Sequence, residues 1–218
     1  MSKPDSRIRI LVVDDHPIVR LGIRQMIDAE ADLEICGEVD SAEAALQLAQ
    51  RLAPDLALVD LSLARGTAFG LIRDLRAAAA GLRVLVLSMH DETLFAERVL
   101  RAGARGYIMK QAAIEGLIGA IRQVASGRVY VSERIAQGVL ERIGDRVDEP
   151  SELLHGLTDR ELEVFELIGR GGSTAGIARE LAVSVKTVET YRSNIKMKLN
   201  LKDANELVRF ATTWAQGM

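Results

Sequence analysis

Apolar positions follow two alternating rhythms along the first 126 residues. Short continuous runs at Ile8–Val13, Leu33–Val39, Leu56–Val59, Val84–Leu87 and Tyr107–Met109 predict strands covered on both faces. Between them, Pro17–Ala29, Ser41–Arg51, Phe69–Ala80, Glu92–Arg101 and Ala113–Ser126 space their apolar residues as amphipathic helices do. Pro17 suits a first helical turn, and Ser41 suits an N-cap. Five β–α units in a row imply a parallel sheet with helices on both faces and right-handed crossovers. Ligands of such sheets sit at the carboxyl ends of the strands.

From residue 151 the strand pattern disappears and four helix starts replace it. Thr158 with Glu161 forms a capping box, and Gly171–Gly172 stops that helix. Ser173 or Thr174 caps a short second helix, "TAGIAREL"; the turn "AVS" follows, and Ser184 caps a long third helix. Asp203 with Glu206 opens the fourth. A short helix, a tight turn and a longer helix make a helix-turn-helix. The stretch between, "GRVYVSERIAQGVLERIGDRVDEP", ends charged and Pro-terminated and predicts a short helix plus linker. The expected organisation is therefore 7–126, a linker at 127–150, and an all-α four-helix domain at 151–218.

Composition narrows the functional classes. The net charge of −3 gives no global nucleic-acid signal, so a DNA-binding surface would have to be local. No apolar run approaches the roughly 20 residues that span a bilayer, and "MSKPDSRIRI" lacks a signal-peptide core. The single cysteine, Cys36, cannot form an internal disulfide and suits the cytoplasm; its apolar run predicts a buried structural thiol.

The chemistry gathers at strand ends. Asp14 and Asp15 end the first strand, Asp60 the third, Ser88 the fourth and Lys110 the fifth. Adjacent carboxylates repel unless a positive charge lies between them. Three clustered acids favour a hard divalent cation such as Mg²⁺. With an ammonium and a hydroxyl beside them, the set suits phosphoryl transfer. No Gly-rich phosphate loop or dinucleotide fingerprint occurs.

These residues, in this order, make 8–126 resemble the receiver domain of two-component response regulators. The resemblance implies a flavodoxin-like, doubly wound five-stranded parallel sheet. It implies that Asp60 is the phosphoacceptor for a sensor histidine kinase's phosphohistidine. Asp14, Asp15, Asp60 and the main-chain carbonyl of Ser62 would hold Mg²⁺, and Lys110 would pair with phosphoryl oxygens. Ser88 would swing toward the phosphoryl group, and Tyr107 matches the aromatic switch position. Ala64 and Ala68 stand where the family often has Pro and Gly, which keeps a phosphate-independent regulator open as a rival reading. His90 reads as a solvated loop residue. An aspartate-based phosphatase would need an acid where Ser62 stands.

On a wheel of the third C-terminal helix, Val188, Ile195 and Leu199 share a face flanked by Tyr191 and Arg192, and Lys186, Thr190, Ser193 and Met197 lie opposite. Ser184–Lys202 holds five cations against Glu189 alone, although 151–218 as a whole balances nine cations with nine acids. "LTDRELEVFELI", "IARELAVSVKTVETYRSNIKMKL" and "ANELVRFA" resemble the LuxR-type helix-turn-helix of NarL/FixJ response regulators. That resemblance implies a recognition helix at 184–198 in the major groove of double-stranded DNA. Lys186 and Thr187 would touch phosphate or base edges, and Glu189, Thr190 and Ser193 would read bases. Tyr191 would touch backbone, and Lys196 and Lys198 would bind phosphates. A homodimer on phosphorylation, with the last helix at the dimer contact, is also implied.

Overall fold

The computed structural model describes residues 7–61, 68–79, 81–137, 154 and 156–216. Ser62, Ala64 and Gly66 lie outside the described residues, as does most of the expected linker. The chain divides into two compact units, Met1–Asp145 and Arg146–Met218.

The first unit runs β1 (Ile8–Val13), α1 (Pro17–Asp28), β2 (Leu33–Val39), α2 (Ala42–Leu52), β3 (Leu56–Asp60), α3 (Ala68–Ala78), β4 (Arg83–Ser88), α4 (Glu92–Ala102), β5 (Gly106–Met109) and α5 (Ala113–Ala125). All strand pairs are parallel, in the order β2-β1-β3-β4-β5. The continuous aliphatic runs are explained by burial on both faces. Ile10, Val12, Leu56, Leu58, Leu85, Leu87 and Ile108 pack with Ile23 and Ile27 of α1 and with Leu117, Ile121 and Val124 of α5. Their strand neighbours Leu11, Val13, Ala57, Val59, Val84 and Val86 are also buried, and alternation turns them to the other face. Strand order reverses beside β1, whose neighbours are β2 and β3, so the switch-point crevice opens at the carboxyl ends of β1 and β3.

Cys36 is half-buried rather than buried, because β2 is an edge strand. Its Sγ donates to the Ile10 carbonyl at 3.4 Å, and burial pushes the thiol pKa up, the opposite of a reactive cysteine. Past α5, Gly127 adopts φ +90° and the chain turns back onto the sheet. Tyr130 forms a parallel bridge with Gly106; the Tyr107 N–H donates to the Tyr130 carbonyl at 3.0 Å, and the Tyr130 N–H donates to the Arg105 carbonyl at 2.9 Å. The Ser132 hydroxyl donates to Glu92 at 2.8 Å and accepts from the Ile135 N–H at 3.2 Å, capping helical backbone that starts at residue 133. The linker's first residues thus belong to the receiver-like unit.

The second unit contains α6 (Asp159–Gly169), α7 (Thr174–Glu180), α8 (Val185–Lys198) and α9 (Ala204–Gln216). The capping box predicted at Thr158 and Glu161 is formed in both directions. Gly171 takes φ +84°, and a Cβ on Gly172 would meet the Leu167 carbonyl at 2.7 Å, so glycine is required where the chain leaves α6. Ser173, Ser184 and Asp203 each accept from a backbone N–H three residues on. Phe165 is fully buried, with the rings of Phe210 and Trp214 at 5.7 and 6.0 Å, tying α6 to α9.

Candidate functional site

The strand register builds the site. Val13 pairs with Val59, so Asp14 and Asp60 follow at neighbouring strand ends. Asp60 pairs with Leu87, and Ser88 pairs with Met109, placing Lys110 one residue beyond. Asp14 and Asp60 are each 1% exposed and Ser88 is fully buried. Lys110 Nζ donates to Asp14 Oδ2 at 2.8 Å and to Asp60 Oδ2 at 2.9 Å. Burial disfavours the Lys110 ammonium, but the Asp60 charge and the hydrogen bonds to Asp14 and Asp60 outweigh that and hold its pKa above the ordinary lysine value.

One residue not anticipated from the sequence joins them. His16 Nδ1 lies 3.1 Å from Asp14 Oδ1, 2.9 Å from Asp15 Oδ1 and 3.8 Å from Asp60 Oδ2. Asp14, Asp15, His16 and Asp60 each offer one ligand atom, all within 4.8 Å of one another. Three carboxylates against one lysine leave a formal surplus of two negative charges, and the two acids that Lys110 bridges are the buried ones. Such a donor set fits a divalent cation that takes oxygen ligands.

At the next strand end, Ser88 Oγ accepts from the His90 N–H at 3.0 Å, and the Tyr107 hydroxyl donates to the His90 carbonyl at 2.7 Å. Tyr107 is 1% exposed, so its ring points inward. His90 is not the solvated loop residue its position suggested. It is buried, with its ring 4.9 Å from that of Phe95 on α4.

In the second unit, the two faces expected of α8 are present. Val188 and Ile195 are buried, whereas Lys186, Glu189, Thr190, Ser193 and Met197 are exposed. Thr187, Tyr191 and Lys196 are partly exposed at the margins. Leu199 is the C-cap of α8 and is half-buried. Lys198 is tied back onto α6: its Nζ donates to Glu161 Oε2 at 2.6 Å.

Burial raises the Glu161 carboxyl, but Lys198 and the Thr158 donors outweigh it and hold its pKa below the ordinary 4.5. A depressed carboxylate contributes stability that is complete above the unfolded pKa and is lost as pH falls through the folded one. Glu161→Gln is expected to cost about 1–2 kcal/mol at pH 7 and to flatten the loss of stability in acid. Trp214, the single tryptophan, reports this unit by fluorescence in urea. Parallel acid losses in both proteins would locate the sensitivity elsewhere.

Comparison with known proteins decides the family. Residues 10–122 match the family described as response regulator receiver domain, and residues 155–211 match the luxR family of bacterial regulatory proteins. This chain is a LuxR-type response regulator of the NarL/FixJ family. Like its relatives in that family, it is a transcriptional regulator and not an enzyme. It is 34% identical to the oxygen regulatory protein NreC of Staphylococcus carnosus, over 94% of this chain and 96% of that one. It is 31% identical to the transcriptional regulatory protein DegU of Brevibacillus brevis, over 94% and 92%. Among solved structures, RcsB of Salmonella enterica serovar Typhimurium, bound to a promoter with the phosphomimetic BeF3⁻, aligns at TM-score 0.57 and 25% identity, covering 94% of this chain and 98% of that one. Among the described residues, no helix of this response regulator is long and apolar enough to cross a membrane.

Proposed function

We propose that Asp60 accepts a phosphoryl group from the phosphohistidine of a sensor histidine kinase in the cytoplasm, and that this switches a homodimer onto promoter DNA. A carboxylate oxygen of Asp60 forms the new P–O bond as the P–N bond of the phosphohistidine breaks. The observation that carries this reading is the Lys110 ammonium bridging the two buried acids, Asp14 and Asp60, beside a buried Ser88. That ammonium is placed to accompany the added negative charge. Asp14, Asp15, Asp60 and the Ser62 carbonyl are the residues that would hold Mg²⁺, which when bound offsets phosphoryl charge. Ser88 would exchange its His90 N–H partner for a phosphoryl oxygen, and Tyr107, already inward, would keep the His90 carbonyl in place. This biases a two-state equilibrium.

In the same reading, 7–126 is the receiver, 127–150 the linker and 151–218 the DNA-binding domain. Lys186, Thr187, Glu189, Thr190, Tyr191, Ser193 and Lys196 face DNA from α8. Lys198 would serve a phosphate with the donors that its bond to Glu161 leaves over. RcsB, whose structure is of a promoter complex in the presence of phosphomimetic BeF3⁻, supports the DNA partner.

The test is intact-protein mass after incubation with Mg²⁺ and acetyl phosphate. A labile phosphoryl adduct is expected on the wild type and absent from Asp60→Ala. An adduct of equal yield on both would move the acceptor elsewhere.

A further inference from the structure

We propose that His16 is an additional ligand of the metal site, one that shifts its preference from Mg²⁺ toward later first-row divalent metals. The inference rests on the metal-binding reading above and adds a nitrogen donor to an oxygen set.

The backbone is fixed where this side chain leaves it. The His16 N–H donates to Asp14 Oδ1 at 2.8 Å, and its carbonyl accepts from the N–H groups of Val19 and Arg20 at 3.1 and 3.2 Å. His16 is the N-cap of α1, with Pro17 immediately after it to stiffen the entry. The main chain is thus pinned on both sides, and the imidazole extends over the carboxyl end of β1. There Nδ1 lies 2.9, 3.1 and 3.8 Å from one oxygen of each of the three acids. Adjacent and opposite ligands of an octahedral ion with bonds near 2.1 Å stand about 3.0 and 4.2 Å apart. The separations of 2.9 and 3.1 Å match adjacent ligands and that of 3.8 Å lies between the two values, so Nδ1 sits where a further protein ligand would.

The chemistry follows from ligand type. Mg²⁺ takes oxygen and water and gains little from imidazole, whereas Co²⁺, Ni²⁺ and Zn²⁺ bind it well. Coordination needs the lone pair on Nδ1, with the ring proton on Nε2. The His16 side chain is 56% exposed, so it can turn aside for Mg²⁺ without disturbing the core. The site would then take Mg²⁺ through its carboxylates, and later metals through the same acids plus His16.

Tag-free full-length protein should be titrated with Mg²⁺ and with Co²⁺ by calorimetry, for wild type, His16→Ala and His16→Asn. Asparagine keeps a hydrogen-bonding group near the acids but removes the imidazole. Both variants are expected to hold Mg²⁺ within about twofold of wild type and to lose about tenfold in Co²⁺ affinity. Low-temperature pulsed EPR of the Co²⁺-loaded wild type is expected to show imidazole nitrogen coupling that disappears in both variants. A role confined to hydrogen bonding would move neither the Co²⁺-to-Mg²⁺ ratio nor the nitrogen signal. An unchanged ratio, or wild-type Co²⁺ without nitrogen coupling, overturns the assignment of His16 while leaving the carboxylate site intact. Failure of the wild type to bind either metal overturns the metal reading itself, and His16 with it.

Discussion

Lys110→Met is expected to destabilise the metal-free first unit by about 3 kcal/mol. The Lys110 side chain is 12% exposed, and those of Asp14 and Asp60 are 2% and 0% exposed, so neither acid can turn to water when its partner is removed. Losing one member of a buried ion pair costs far more than the pair contributes, because the remaining charge stays desolvated. Here two charges are left, and each repels the other. A divalent cation should then do part of what the ammonium did. Mg²⁺ at about 100 times its dissociation constant adds about 2.7 kcal/mol to any state that binds it. Saturating Mg²⁺ is therefore expected to recover most of the loss in Lys110→Met. Urea unfolding followed by far-UV circular dichroism, in chelator and in Mg²⁺, measures this, because the tryptophan lies in the other unit. Asp15→Asn is the control of opposite sign: one fewer carboxylate around a single ammonium leaves the metal-free unit as stable as wild type or more so. If Lys110→Met unfolds at the wild-type urea concentration in chelator, the bridging ion pair is not what holds the acids together.

The acids, the serine and the lysine are legible in the sequence because each stands at the end of an apolar run. A strand buried on both faces announces its own terminus by its first polar residue, and a parallel sheet collects those termini on one edge. Register did the rest: pairing Val13 with Val59 and Ser88 with Met109 needs only strands of matched length. His16 was invisible to that logic. In sequence it is a polar residue before Pro17, as good an N-cap as a ligand, and only its rotamer brings Nδ1 back over the acids. His90 was misplaced for a similar reason. Its burial comes from Phe95, a residue on the following helix, and from the Tyr107 hydroxyl across the sheet edge. Lys198 reads as one more cation on a basic helix, yet its partner Glu161 lies 37 residues away on α6. Local patterns of charge and hydrophobicity carry elements and faces; pairings between elements are decided by packing.

The largest loss of DNA binding from a single surface change is expected for Lys186→Glu, at about 50-fold at physiological salt. Lys186 lies in the first turn of α8, exposed, on the face opposite Val188 and Ile195. No acid occupies that first turn, and the helix dipole's positive end adds to the lysine there. The local cationic surplus matters because the chain as a whole is acidic, so non-specific attraction to phosphate has to come from a local surplus such as this one. On the proposed docking of α8, reversing the charge would replace one phosphate contact by a repulsion, which should lower the steepness of log affinity against log salt by about two. Thr190→Ala, one turn along the same face, should leave the slope unchanged and reduce discrimination between bases. Fluorescence anisotropy on a duplex selected by the wild type, across a series of salt concentrations with phosphorylated protein, separates the two behaviours. A Lys186→Glu protein with the wild-type slope would place the phosphate contacts away from the start of α8. The groove would then be entered by a different part of the helix, with Lys196 as the next cation to reverse.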